Sequence, residues 1–180
     1  VICPGIHDPK LTDRFLQALQ KQSLDLGTPL IFPTQNYPAF SALHILQFLR
    51  QELQETSDRS LLLVSFSAGV VGAIGAAWAW QQSGGKVLAV IALDGWGVPL
   101  FGSFPIHRLS HDEFTHWSSA LLGSGEDSFY ADPPVAHLDL WRSPDLVRGW
   151  EIRTTDDGVE RRSRTTAAAF LALLLERYLG

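Results

Sequence analysis

Residues 61–80 read LLLVSFSAGVVGAIGAAWAW, twenty consecutive positions without a charge. The apolar run Leu61 to Val64 has the length and composition of a buried strand, and Ser65-Phe66-Ser67-Ala68-Gly69 breaks it. From Ala68 to about Gln82 small and apolar residues dominate, as expected of a helix buried on most sides. The stretch therefore predicts a strand that turns sharply into a helix. A membrane span is the alternative, since the run is long enough and Gly69, Gly72 and Gly75 are small. Their spacing of three and the polar break at Ser65 and Ser67 favour the strand and helix.

The same grammar extends outward on both sides. Val1 to Cys3 reads as a first short strand, and Asp8-Pro9 as a helix start, with a side-chain acceptor before a residue that lacks an amide. Leu11, Phe15, Leu16 and Leu19 share one helical face, with Gly27 as a breaker beyond. Leu30 to Phe32 is expected as a second strand. Ser41 can cap a helix whose apolar face runs through Ala42, Ile45, Leu46, Leu49 and Leu53. Val87 to Leu93 is a further strand, ending at Asp94-Gly95. Strands alternating with helices predict an α/β fold: a mostly parallel sheet with helices on both faces, in one domain spanning residues 1–180.

Beyond Gly95 the periodicity fades. A cap or irregular insertion is expected at about 96–127, followed by short strands at Ser128 to Ala131 and Trp150 to Thr154, a turn at Asp157-Gly158, and a closing helix from about Thr165 to Leu179. Arg161, Arg162 and Arg164 read as a solvated face or as the approach to that helix.

Composition excludes several functions. A chain of 180 residues that is 46% hydrophobic and 18% charged can bury one substantial core. Its 14 basic and 19 acidic residues give a net charge of -5, with no basic stripe for a nucleic-acid backbone. The single cysteine, Cys3, has no partner for an internal disulfide and no metal-ligand spacing, and it reads as a buried thiol. Val1-Ile2-Cys3-Pro4-Gly5 reads as strand and turn rather than as a signal segment. A cytoplasmic location is the expectation that follows.

Ser65-Phe66-Ser67-Ala68-Gly69, set between a strand and a helix, resembles the nucleophile elbow of the α/β-hydrolase superfamily, usually written G-x-S-x-G. Serine stands here in place of the first glycine. The motif is steric in origin: the nucleophile sits in a tight turn, so the residues two before and two after it must be small. Pro4-Gly5-Ile6-His7-Asp8 is similar to the oxyanion loop that follows the first strand in that superfamily. The resemblance covers about Val1 to Asp94 and the last helix.

What the resemblance implies is acyl transfer with Ser67 as nucleophile. The amides of Ile6 or His7, together with that of Ala68, would hold the oxyanion. A base and an acid are then required, in the chain order serine, acid, histidine. Six histidines are available. His7 and His44 precede Ser67, and His107, His111 and His116 fall in the aromatic stretch, which leaves His137 as the chosen base. Asp94, at the end of a well-defined strand, is the first choice of acid, and Asp132 is the alternative. Trp78, Trp80, Trp96, Trp117, Trp141 and Trp150, with nearby phenylalanines, would suit an apolar wall over the site or ordinary core. The expected substrate is a carboxylic ester or thioester with an apolar group, and neither metal nor cofactor is implied. A hydrolase-like fold that binds a lipid, pigment or protein without catalysis is the alternative.

Overall fold

The computed structural model describes residues 1–22, 27–53, 59–123, 125–154 and 159–180. Among these, seven strands form one sheet in the order β1 to β7. They are β1 (Ile2–Cys3), β2 (Ser60–Phe66), β3 (Lys86–Leu93), β4 (Ile106–Ser110), β5 (Ser128–Ala131), β6 (Arg148–Thr154) and β7 (Glu160–Thr166). The first five run parallel, and β6 and β7 are antiparallel additions at one edge. The helices are α1 (Lys10–Gln20), α2 (Ala42–Glu52), α3 (Ala68–Gln82), α4 (Glu113–Ala120), α5 (His137–Arg142) and α6 (Ala167–Leu179).

Alternation along the strands divides the core in two. In β2, Leu62, Val64 and Phe66 face a cluster with Phe15 and Leu19 of α1, Trp141 of α5 and Phe170 of α6. Leu61 and Leu63 face the other side, against Ile45 and Leu49 of α2 and Val70, Ala73 and Ala77 of α3. Period-two strands thus take helices on both faces, which explains why their sequences are continuously apolar rather than alternating.

Side-chain oxygens satisfy amides at several helix starts. Asp8 Oδ1 accepts from the Lys10 amide at 2.9 Å. Ser41 accepts from His44 N at the start of α2, and Thr166 from Ala169 N at the start of α6. Helix α3 approaches its neighbours closely because it carries glycine where they meet. A Cβ on Gly69 would lie 2.3 Å from Cys3 O, and one on Gly72 2.5 Å from Ala39 O. The small residues of this helix thus serve packing within an α/β fold. No described helix is long and apolar enough to cross a membrane.

Two expectations need correction. Residues 96–127 do not form a cap or irregular insertion throughout, because β4 lies within them and pairs with both β3 and β5. Its sequence, IHRLS, hides a buried strand behind polar letters. Arg108 is buried because its guanidinium donates to Gly123 O at 2.6 Å and Leu122 O at 3.2 Å, and His107 bonds Asp127 O and the Tyr178 hydroxyl. The expected strand Leu30 to Phe32 contracts to a single parallel bridge between Ile31 and Ile2. The turn expected at Asp157-Gly158 lies outside the described residues. The arginines before α6 belong to β7, an exposed edge strand whose charges discourage further pairing.

The bridge at Ile31 fixes where the sheet changes direction. The chain leaves β1, pairs on its outer side at Ile31, then crosses to form β2 on its inner side. The carboxyl ends of β1 and β2 therefore flank a topological switch point, where open α/β sheets leave a crevice.

Candidate functional site

The turn between β2 and α3 carries Ser67 in the left-handed half of backbone space, with φ 53° and ψ -123°. A non-glycine residue there is strained, and its surroundings hold it in place. Its amide donates to Leu93 O at 2.9 Å, and its carbonyl accepts from Val70 N at 3.0 Å. Gly69 passes so close to Cys3 and Pro4 that a larger residue would collide with their backbone. Ser65 is fully buried, and its hydroxyl donates to Ile91 O at 3.2 Å. A serine fits at this position because it is small and its one polar atom is satisfied by the neighbouring strand.

Gly5 brings the loop after β1 against this turn: a Cβ there would lie 3.1 Å from Ser67 Cβ. Ile6 in the same loop is exposed, and the His7 ring packs obliquely on Phe66 and Trp141. His7 Nδ1 meets Asp8 O at 3.0 Å. Ala68 supplies the first amide of α3, which has no acceptor one turn back within the helix.

One strand over, Asp94 directly follows β3, also with positive φ, at 50°. Its side chain is only 1% exposed, whereas that of His137 is 42% exposed, so the carboxylate is shielded and the imidazole is open to solvent. His137 donates from Nδ1 to Asp94 Oδ2 at 2.8 Å. Asp94 Oδ1 accepts from the His111 amide at 2.9 Å. His111 Nδ1 lies 2.9 Å from Oδ2 as well, but off the line required for a hydrogen bond. Burial pushes the Asp94 carboxyl up, but the imidazoles of His111 and His137 and the His111 amide outweigh it, leaving the group below the usual carboxylate range. The Asp94 carboxylate in turn raises His111.

Helix α5 orients His137. His137 and Trp141 are four residues apart on this helix and share a face, and both rings stack on Phe66. Trp141 stacks on Phe15 in turn, so the imidazole rests on a column of aromatic rings with centroid spacings of 4.7, 5.1 and 3.8 Å. One ring face and one ring nitrogen are thereby fixed. Nε2 is left without a protein partner among the described residues, as is the Ser67 hydroxyl.

Ser67, Ala68, Val71, Asp94, Trp96, Val98, His111, Thr115 and His137 line one cavity of about 410 Å³. The structure thus brings Ser67, His137 and Asp94 to one cavity. Asp132 is held elsewhere: it accepts from Trp150 Nε1 at 2.9 Å and pairs with Arg164 at 2.7 Å. Of the tryptophans, Trp96 alone lines the cavity, whereas Trp80 and Trp141 are core and Trp150 lies beneath the Arg164 guanidinium. Sequence reasoning placed His111 in a supposed cap and missed its position beside Asp94. No signal in spacing could have revealed it, since the two meet only because β3 and β4 are neighbours. No protein-family model matches this chain, and neither does any curated protein.

Proposed function

We propose that this protein is a serine hydrolase of the α/β-hydrolase type that cleaves a carboxylic ester or thioester by acyl transfer. The observation that carries the reading is the strained Ser67 lining the same cavity as an imidazole whose Nδ1 is anchored to a buried carboxylate. A serine nucleophile needs a base whose other nitrogen is held by a third group, and the Asp94–His137 pair supplies that arrangement.

In the reaction, Ser67 Oγ attacks the acyl carbon as His137 Nε2 takes its proton. Asp94 keeps the other nitrogen protonated and stabilises the imidazolium. The amides of Ala68 and of Ile6 or His7 receive the oxyanion. The leaving alcohol or thiol departs with the proton from His137, and water, activated by the same imidazole, releases the acid and restores Ser67. Val71, Trp96 and Val98 offer an apolar seat for the acyl group. A buried lone thiol at Cys3 suits a cytoplasmic setting for this activity.

Labelling with a fluorophosphonate probe tests the reading. The native protein should react, Ser67→Ala should not, and His137→Ala should react far more slowly. Native protein that is folded yet inert to the probe would refute the hydrolase reading, and tryptophan quenching by lipids or pigments would then favour a binding protein.

A further inference from the structure

Three donor atoms from distant parts of the chain meet at the wall of the cavity. Asp94 comes from the end of β3, His111 from just beyond β4, and His137 from the first turn of α5. One carboxylate oxygen and one nitrogen from each imidazole lie within 4.8 Å of one another. Both Nδ1 atoms converge on the same oxygen, at 2.8 and 2.9 Å. Only the one from His137 makes an aligned hydrogen bond. His111 Nδ1 is closed to solvent and has no hydrogen-bond partner. Asp94 Oδ2 is thus shared by two imidazole nitrogens, and His111 lies between two carboxylates, its Nε2 being 3.3 Å from Asp112 Oδ2.

We infer that Asp94, His111 and His137 bind one first-row divalent transition metal, Zn²⁺ foremost, and that its binding switches the enzyme off. The switch rests on the hydrolase reading, whereas the binding site does not. Two imidazoles and a carboxylate form a borderline donor set that suits zinc better than calcium or magnesium. Three protein ligands with the fourth position facing a cavity give an open tetrahedral site. With metal–ligand distances of about 2.0–2.1 Å, ligand atoms in a tetrahedron sit about 3.3 Å apart. The two nitrogen–oxygen contacts would each lengthen by about half an ångström to reach that spacing, and the nitrogens already lie within 4.8 Å of each other.

Inhibition follows from proton placement. In the hydrolase reading His137 carries its proton on Nδ1, held by Asp94, and uses the lone pair on Nε2. A metal on Nδ1 displaces the proton there and takes the electron pair that held it, so the neutral ring carries its one proton on Nε2, which then has no lone pair to receive a proton from Ser67. The metal also claims the carboxylate that would stabilise the imidazolium. Catalysis and metal binding therefore demand opposite tautomers of one ring.

The test is titration of the metal-stripped full chain with Zn²⁺ against a chromogenic chelator, with thermal melting as a second readout. One equivalent should bind and raise the melting temperature. His111→Ala, His137→Ala and Asp94→Asn should each weaken binding by about tenfold or more, since even outer-shell losses reach that size. Ser67→Ala and His44→Ala should bind as the native chain does. Circular dichroism of the variants separates a lost ligand from a lost fold, and His111→Gln gives a second variant of similar polarity. Ester hydrolysis should fall as zinc binds and return on adding EDTA. Unchanged zinc affinity in a folded His111→Ala or His111→Gln overturns the site, and hydrolysis that proceeds with zinc bound overturns the switch. Stoichiometric zinc that depends on His111, in a protein inert to fluorophosphonate, upholds the site and refutes the hydrolase reading instead.

Discussion

Ser67 and Asp94 leave adjacent parallel strands at the same level, each one residue past the register pair Phe66 and Leu93, and each with a left-handed φ, 53° and 50°. The Ser67 amide donates to Leu93 O, so one ladder rung ties the serine to the residue before the acid. In the proposed reaction the gap between Ser67 and the His137 imidazole must still close, and contacts of this kind commonly tighten only when substrate is bound.

The proposed reaction takes Asp94, which holds His137, as its acid. Asp94→Asn should lower kcat on a p-nitrophenyl ester by about 10³- to 10⁴-fold, the loss expected when an imidazole is held in the wrong tautomer. Asp132→Asn should leave kcat within about twofold, because Asp132 holds Trp150 and Arg164 rather than a histidine. The opposite pattern would move the acid to Asp132.

Backbone strain at Ser67 is measurable as stability. Alanine keeps a Cβ in the strained conformation, whereas glycine relaxes it, so Ser67→Gly should be more stable than Ser67→Ala by about 1 kcal/mol in urea unfolding. Both should be inactive. A less stable glycine variant would mean that the turn holds no strain.

Gly69→Ala should destabilise the protein by about 1–3 kcal/mol, since the new methyl would meet Cys3 O and Pro4 O at 2.3 and 2.5 Å. These are main-chain atoms and cannot rotate away. Denaturant unfolding read by tryptophan fluorescence would measure the loss, and a neutral result would show that α3 can slide from β1.

Acid should weaken the fold through His107. Burial lowers its pKa from the ordinary histidine value of 6.5, so in the folded state it resists the proton that the unfolded chain accepts. The stability it contributes is complete above pH 6.5 and is lost as pH falls through the folded value. Melting temperatures should decline on acidification across this range, and less steeply in His107→Gln. Equal slopes would assign the acid sensitivity to other groups, of which His116, also lowered by burial, is the first to test.

Much of the first half of the fold was legible because its strands are buried on both faces and its helices carry apolar stripes and caps. Val87 to Leu93 and the Ser67 turn announce themselves in local sequence. Ile106–Ser110 did not, because the burial of Arg108 is compensated by carbonyls 14 and 15 residues away. Nor did β7, whose ERRSRTT sequence is that of a charged edge with no face to bury. Within the site, Ser67, Asp94 and His137 were each readable as candidates from their place in the chain. Their convergence with His111 depends on strand order, which no local pattern encodes.

Strand order has a further consequence, for how such a protein diversifies. The connections after β1, β3, β4 and β5 all open at the rim that holds the cavity, while the opposite rim carries none of its residues. Lengthening any one of them adds wall or roof over Ser67 and leaves the ladder of strands unaltered. Insertions there could reshape the cavity one at a time while Ser67, Asp94 and His137 keep their places on the sheet.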